Sequence, residues 1–211
     1  YGYYHPVQYH EGYVFCNGFI YKMEKTDNSV TFLAVGDKAI GDDAFNWSSG
    51  AFYNDLFYVA SKTTVYAVDY KTNTVIDSYV FDAERTAKNN VQPGICLDEE
   101  SGRLYWGTYD YDSYIHSIAI DITDGEAKGK FISESYISAD ASQKSVATPI
   151  VYGGRIYLAG QQGKMTVLSA KNLTKLYDAS IGGGRVQGTP ILSAVDGKIR
   201  IYIQCYNGHL Y

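Results

Sequence analysis

Residues 147–160, ATPIVYGGRIYLAG, have a close echo in residues 188–205, GTPILSAVDGKIRIYIQC. In both stretches Thr-Pro-Ile opens a short apolar run, a glycine-containing turn follows, and a second apolar run contains a tyrosine. The two Thr-Pro pairs are 41 residues apart. A repeat of this length that is filled with short strands is typical of the four-stranded blades of a β-propeller.

The prolines extend this echo over the whole chain. All four of them stand just before an apolar run that ends in a turn, at Pro6, Pro93, Pro149 and Pro190. A fifth copy, SSGAFYNDLFYVAS, has Gly50 where the proline is expected. Because proline lacks a backbone N–H, sheets accept it at an edge or at the first residue of a strand. We therefore predict that each copy begins with the innermost, edge strand of a blade.

An aromatic residue after the first turn gives a second marker of the repeat. Its spacings are 45, 47, 52 and 45 residues, at Tyr13, Tyr58, Tyr105, Tyr157 and Tyr202. No segment has a sustained helical period of apolar residues, so no long helix is predicted. The prediction is an all-β fold, a β-propeller of four-stranded antiparallel blades. About five repeats are visible, over residues 5–47, 48–90, 91–145, 146–185 and 186–211. The last is incomplete, and we expect a larger propeller of six to eight blades.

The third-strand phrase TVYAVDYKTNTVI, residues 64–76, resembles the quinoprotein-like propeller repeat, with Ala67 and Asp69 in the centre of the match. The tryptophan that docks the fourth strand in that family is missing, and we expect Tyr79 and Tyr177 to take its place. The chain also lacks the vicinal cysteine pair and the calcium-ligating set of the quinone-dependent dehydrogenases. The resemblance therefore implies the non-catalytic branch, with outer-membrane assembly lipoproteins and bacterial surface proteins, and no cofactor.

Composition excludes several classes of partner. The chain has 211 residues and a net charge of −5, and its Lys and Arg residues are scattered singly, which disfavours nucleic acid. No apolar run approaches the length of a membrane span. Cys16, Cys96 and Cys205 allow at most one disulfide, and we expect buried free thiols.

Two motifs invite a functional interpretation that the sequence does not favour. In YDYDSY, residues 109–114, Asp110 and Asp112 are candidate calcium ligands, but the further ligands and the distal Glu of a calcium loop are missing. We interpret this stretch as a solvated hairpin tip and predict no metal site. The glycine-rich IGGGRVQG, residues 181–188, joins two strands and does not open a helix, so it is not interpreted as a phosphate cradle.

The segments that lead into the first strands carry the candidate binding residues. Connections from the fourth strand of one blade to the first strand of the next gather around one mouth of a propeller channel. Each of three such segments brings one cation and a polar neighbour: Lys88, Asn90 and Gln92 before Pro93, Lys144 and Ser145 before Pro149, and Arg185 and Gln187 before Pro190. We predict that an anionic or polyhydroxyl ligand binds there.

The functional hypothesis is a non-enzymatic binding or scaffold module of a bacterial cell-surface or envelope protein, located extracellularly, at the cell surface or in the periplasm. Its partner would be a glycan, a small ligand or a protein, beside further blades or domains of the parent protein. One alternative is a hydrolase or lyase that uses channel-mouth residues, which acidic residues at the starts of the first strands would favour. The other is a structural spacer without a ligand.

Overall fold

A computed structural model describes residues 6–16, 19–37, 49–61, 63–81, 94–108, 113–145, 147–186 and 188–211. Over these ranges the chain forms four four-stranded antiparallel sheets and one two-stranded sheet, and no helix. In each four-stranded sheet the strands lie side by side in chain order. The predicted β-propeller fold of successive four-stranded blades is therefore confirmed.

The strands are numbered along the chain. Blade 1 contains β1 (Gln8–His10), β2 (Tyr13–Cys16), β3 (Phe19–Lys25) and β4 (Val30–Ala34), and blade 2 contains β5 (Ala51–Tyr53), β6 (Leu56–Ser61), β7 (Thr64–Asp69) and β8 (Thr74–Val80). Blade 3 contains β9 (Cys96–Asp98), β10 (Arg103–Gly107), β11 (Tyr114–Ile120) and β12 (Phe131–Asp140). Blade 4 contains β13 (Ile150–Tyr152), β14 (Arg155–Ala159), β15 (Lys164–Ser169) and β16 (Lys175–Ser180), and blade 5 begins with the hairpin β17 (Ile191–Val195) and β18 (Lys198–Tyr202). After β18 the backbone returns, because Tyr211 and Ile203 exchange two N–H···O bonds of 2.9 and 3.0 Å.

The first turns of blades 1 and 4 are tight because their residues accept a left-handed backbone. In blade 1 His10 pairs directly with Tyr13, so the turn has only two residues, Glu11 and Gly12, and both have positive φ. Blade 4 repeats this geometry with Gly153–Gly154. Two left-handed residues match the twist of a two-residue hairpin.

Side chains alternate between the two faces of each blade, so neighbouring blades share an apolar layer. We call the face toward the preceding blade the rear face and the opposite one the forward face. In blade 2, Phe57 and Val59 pack rearward on Phe15 of blade 1, whereas Tyr58 and Ala60 pack forward on blade 3. Similar layers join blade 3 to blade 4 and blade 4 to the β17–β18 hairpin.

The repeated tyrosine carries the same contact from blade to blade. The Tyr58 hydroxyl donates to the Gly129 carbonyl at 2.7 Å, and the Tyr105 hydroxyl donates to the Ala170 carbonyl at 3.0 Å. In both cases the acceptor lies in the turn between the third and fourth strands of the next blade. The Tyr13 ring packs on Tyr70 at the corresponding turn, with centroids 5.1 Å apart. The marker in the sequence is thus a link between blades.

Tyr79 and Tyr177, the two fourth-strand tyrosines that are predicted to replace the docking tryptophan, differ in their surroundings. Tyr79 of β8 packs on Tyr136 of β12, with ring centroids 5.2 Å apart. Tyr177 of β16 is 50% exposed. A tyrosine thus joins the outer strands of blades 2 and 3.

Gly50 replaces the repeated proline for a physical reason. Its N–H donates to Oε1 of Gln8 at 2.7 Å, and its carbonyl accepts from Nε2 of the same side chain at 2.9 Å. Proline has no N–H to donate. A Cβ at residue 50 would also lie 2.1 Å from Cε2 of Phe57. The start of β5 is therefore held by a side chain from β1, and neither a ring nor a side chain fits there.

Candidate functional site

The segments that lead into the first strands of blades 2, 3 and 4 lie against one another. The residues that precede these strands converge, and Oγ of Ser49 lies 3.1 Å from Oγ1 of Thr148. Gly94 lies against both hydroxyls, because a Cβ built on it would be 1.8 Å from Ser49 Oγ and 2.4 Å from Thr148 Oγ1. We call the connecting segments around this point the rim of the mouth.

Lys144 and Arg185 occupy equivalent positions on this rim. The backbone N–H of Gln161 donates to the Lys144 carbonyl at 2.9 Å, and the N–H of Tyr206 donates to the Arg185 carbonyl at 2.8 Å. Each donor comes from the turn after the second strand of the following blade. We call each such pair, a carbonyl of the connecting segment and an N–H of the next blade's turn, a clamp.

The two connecting segments also begin in the same way, directly after the fourth strand of each blade. The N–H of Ala141 donates to the Ser113 carbonyl at 2.6 Å, and the N–H of Ile181 donates to the Gly163 carbonyl at 2.8 Å. The residue that follows has positive φ in both segments, 56° at Ser142 and 71° at Gly182. The two segments thus begin alike, although the second has one more residue than the first between the left-handed residue and the cation.

Buried polar groups support the first clamp from below. Nε2 of Gln143, a residue that is 1% exposed, donates to the Leu158 carbonyl at 2.7 Å and to Thr166 Oγ1 at 2.9 Å. Ser145 is also buried, and its hydroxyl donates to the Ala159 carbonyl at 2.6 Å. The side chain of Ser145, a predicted binding residue, is therefore buried and hydrogen-bonded to β14.

Residues of the second turns complete the surface, and the sequence interpretation missed them. Gln161 is half-buried and donates through Nε2 to the Val186 carbonyl at 3.3 Å. Tyr206 is 75% exposed, directly after the clamp to Arg185. Asn207 donates through Nδ2 to the Tyr211 hydroxyl at 2.9 Å. The available signal was the polar turn after the second strand of blades 1, 4 and 5, in which an amide residue precedes glycine ("CNG", "QQG", "YNG").

The remaining predicted residues lie outside the described ranges. These are Lys88, Asn90, Gln92 and Gln187 of the ligand prediction, and the considered metal ligands Asp110 and Asp112. Within the ranges that are described, no group of three or more His, Cys, Asp or Glu residues could hold a metal ion.

The described residues do not fit a quinone–calcium centre. A calcium ion takes six to eight oxygen ligands, with carboxylates prominent among them. The inner ends of blades 2 to 4 instead bring together two hydroxyls, of Ser49 and Thr148, and the bare backbone of Gly94. These three residues can form hydrogen bonds, but none of them supplies a carboxylate ligand for a cation.

Burial disfavours the reactive thiolate form of two of the three cysteines. All three are free, with Cys205 buried and the others half-buried. Burial raises the pKa of the Cys96 and Cys205 thiols above the ordinary value. Because the thiolate is the nucleophile, these two side chains behave as small apolar groups. The described part of the chain also contains no helix with the length and hydropathy that a membrane crossing requires.

Comparison with solved structures agrees with this architecture. The chain is similar to a quinohemoprotein alcohol dehydrogenase from Pseudomonas putida, with a TM-score of 0.59 and 10% identity over 93% of this chain and 38% of that one. The corresponding enzyme from Comamonas testosteroni gives 0.55 and 11%, over 90% and 38%. A computationally designed protein, Ika8, gives 0.55 and 10%, over 97% and 56%.

These similarities show the fold alone, a β-propeller. The chain spans 38% of the length of either dehydrogenase and 56% of Ika8. No protein-family model and no curated protein sequence matches it.

Proposed function

We propose that this propeller is a non-enzymatic binding module that recognises an acidic glycan at its mouth. The observation that supports the proposal is the repeated clamp. It places Lys144 beside the turn of Gln161, and it places Arg185 beside Tyr206. Two consecutive connecting segments, from blade 3 to blade 4 and from blade 4 to blade 5, therefore each bring a cation close to a turn that carries an amide or an aromatic residue.

This combination has the chemistry that a charged sugar requires. Lys and Arg make charge-assisted hydrogen bonds to carboxylate or sulfate oxygens. An exposed tyrosine such as Tyr206 supplies a large contact surface at low entropic cost. Amide groups pair with hydroxyls, because each amide both donates and accepts hydrogen bonds. Since the unit recurs from blade to blade, a ligand with repeating acidic sugars would engage two units at once.

The test is a screen of acidic and neutral glycans, followed by titration calorimetry on each ligand that binds. Lys144→Ala and Arg185→Ala should each weaken binding at least about 10-fold, because each removes a charge-assisted hydrogen bond. Lys171→Ala and Arg155→Ala are the matched controls. Both residues are exposed and lie next to turns at the opposite end of blade 4, so these variants should bind within about two-fold of the wild type.

The screen also separates the proposal from the other hypotheses. A chain that binds no acidic or neutral glycan is not a glycan-binding module, and the spacer hypothesis then gains support. A chain that shortens a glycan or leaves an unsaturated product during incubation is a hydrolase or a lyase. Equal losses in the Lys144→Ala and Lys171→Ala variants would place any binding away from the mouth.

We further propose that the module belongs to a bacterial surface or envelope protein. Two arguments support this location. The sequence repeat resembles that of bacterial surface proteins, and the proposed ligand, an acidic glycan, is typical of the space outside the cytoplasm. An antibody raised against the chain should label intact cells of the source organism, or their periplasmic fraction. Labelling that appears only in the cytoplasmic fraction would contradict this location.

A further inference from the structure

Blade 4 is the basic part of an acidic protein. Residues 144–185, which run from the first clamp through blade 4 to the second, contain six Lys and Arg residues and a single acidic residue, Asp178. Residues 91–143, which contain blade 3, have ten acidic residues and three basic ones. The positive charge of the chain is therefore concentrated around one blade, and the attraction of an acidic partner would centre there.

Two of these lysines and Asp178 lie together on the rear face of blade 4. Thr166 pairs with Asp178 across β15 and β16, and Lys164 points to the same side because it lies two residues before Thr166. The register shifts at Leu168, as at a β-bulge, and places Lys175 opposite this residue, which packs rearward on blade 3. The Nζ atoms of Lys164 and Lys175 lie 3.2 and 3.4 Å from Oδ2 of Asp178.

This cluster is exposed although the blade that faces it is in place. Residues from all four strands of blade 3 belong to the apolar layer that joins it to blade 4. The cluster lies at the outer edge of that layer, where the side chains of Lys164, Lys175 and Asp178 are 24%, 42% and 32% exposed. Its exposure is therefore a property of the outer strands of blade 4.

The charges of the cluster do not cancel, because two ammonium groups share the one carboxylate of Asp178. The Thr166 hydroxyl donates to Asp178 Oδ1 at 2.8 Å and accepts from Nε2 of Gln143 at 2.9 Å, which fixes the carboxylate from the buried side. An ammonium group has three donors, so each lysine can bind an anionic group beside Asp178.

The cluster adjoins the rim of the mouth through one turn. The N–H of Gly160 donates to the Lys164 carbonyl at 3.2 Å, and the N–H of the next residue, Gln161, donates to the Lys144 carbonyl at 2.9 Å. Lys175 stands at the other end of the outer strand β16. Lys144, Lys164 and Lys175, which we call the basic track, thus lead from the mouth along the outer strands of blade 4.

We propose that an acidic glycan chain leaves the mouth along the basic track, where Lys164 and Lys175 bind its anionic groups. The inference rests on the proposed function, because the same glycan is bound at the mouth by Lys144. Charge-assisted hydrogen bonds to the two further lysines add contacts that only a long chain can reach. Asp178 competes with the glycan for both ammonium groups and so limits the affinity.

The test compares polygalacturonate with the short oligomer trigalacturonate by titration calorimetry. The double variant Lys164→Gln with Lys175→Gln should weaken binding of polygalacturonate about 10-fold, because it removes two charge-assisted contacts. Binding of trigalacturonate should stay within about two-fold of the wild type, because the short oligomer is held at the mouth. Lys144→Ala should weaken the binding of both.

A charge-matched control and a variant of opposite effect sharpen the test. Lys71→Gln with Lys128→Gln removes the same charge from two lysines that are also paired with carboxylates, in turns of blades 2 and 3, and should leave binding of polygalacturonate within about two-fold of the wild type. Asp178→Asn should tighten binding of polygalacturonate about three-fold or more, because it releases both ammonium groups. Circular dichroism of each variant should match that of the wild type.

The outcomes separate this inference from the proposed function. If Lys144→Ala weakens binding of trigalacturonate but the Lys164–Lys175 double variant binds polygalacturonate like the wild type, the mouth binds the glycan and the inference is wrong. Equal losses in the double variant and its control would report net charge alone and would also contradict it. If neither oligomer nor polymer binds, the proposed function fails and the inference with it. Single-stranded DNA that binds more tightly than polygalacturonate at the same salt concentration would assign the basic track to nucleic acid instead.

Discussion

Gly94 provides the sharpest test of how the inner strands converge. A Cβ at this residue would lie 1.8 Å from Ser49 Oγ, 3.0 Å from Ser49 Cβ and 2.4 Å from Thr148 Oγ1. Gly94 is not among the glycines with positive φ, so alanine would suffer no left-handed backbone strain. The substitution Gly94→Ala therefore reports the steric fit between blades 2, 3 and 4.

The expected cost has two parts. An extra methyl group in a closely packed site costs about 1–3 kcal/mol, because neighbours must leave their preferred positions. The Ser49–Thr148 hydrogen bond, which spans 3.1 Å, would also break, at about 1 kcal/mol. We expect Gly94→Ala to lower the free energy of unfolding by about 2–4 kcal/mol. Adding Ser49→Ala removes the nearest atom and should recover about 1 kcal/mol or more.

Urea unfolding followed by tryptophan fluorescence measures these differences. Gly188→Ala is the matched control, because Gly188 precedes a first strand, also lacks a positive φ and has no atom within 4 Å of its Cβ position. That variant should stay within about 0.5 kcal/mol of the wild type. If Gly94→Ala is as stable as Gly188→Ala, residue 94 is not tightly enclosed by blades 2 and 4. If adding Ser49→Ala does not raise the free energy of unfolding of Gly94→Ala, the Ser49 hydroxyl is not the group that clashes.

Three further predictions concern contacts between and within blades. Tyr58→Phe leaves a buried carbonyl without its donor and should lower the free energy of unfolding in urea by about 1–2 kcal/mol. The exposed control Tyr152→Phe should show no change. Gln8→Ala removes both bonds to Gly50 and should cost about 1–3 kcal/mol in the same assay, and a wild-type value would contradict the link between blades 1 and 2. Hydrogen bonds from a threonine hydroxyl and a lysine hold the pKa of the Asp178 carboxyl below its ordinary value. The carboxylate therefore stabilises the fold above its unfolded pKa, and this contribution is lost as the pH falls through the lower native pKa. Asp178→Asn should flatten the fall of the urea midpoint below about pH 4, and an unchanged pH profile would contradict it.

The fold was predictable because the repeat imposes its local requirements at every copy. A proline such as Pro149 is tolerated only where an innermost strand begins, and β13 starts at the next residue, Ile150. The tyrosine after each first turn has to span the gap to the next blade, as Tyr58 and Tyr105 do. The proline and the tyrosine recur at similar spacings along the chain, so the repeat can be recognised in the sequence without knowledge of the contacts.

The contacts that close the mouth could not be predicted, because they depend on how each blade is placed against the others. Ser49 and Thr148 are 99 residues apart, and Gln8 reaches Gly50 over 42. The sequence shows that these residues are polar, but not that they meet. For the same reason the sequence does not show that the hydroxyl of Ser145, a predicted binding residue, donates a hydrogen bond to the Ala159 carbonyl of β14.

The two clamps differ in the residues that lie beneath them. The backbone contact that holds each cation in place therefore does not depend on the identity of these residues. Between the left-handed residue and the cation, the first segment has the single buried residue Gln143, whereas the second has Gly183 and Gly184. The ring of Tyr211 lies over Gly183, where a Cβ would be 2.4 Å from that ring. Both fillings leave the carbonyl-to-amide clamp intact, because the clamp is made by backbone atoms alone. A side chain on the rim can therefore change from blade to blade without disturbing the strands below.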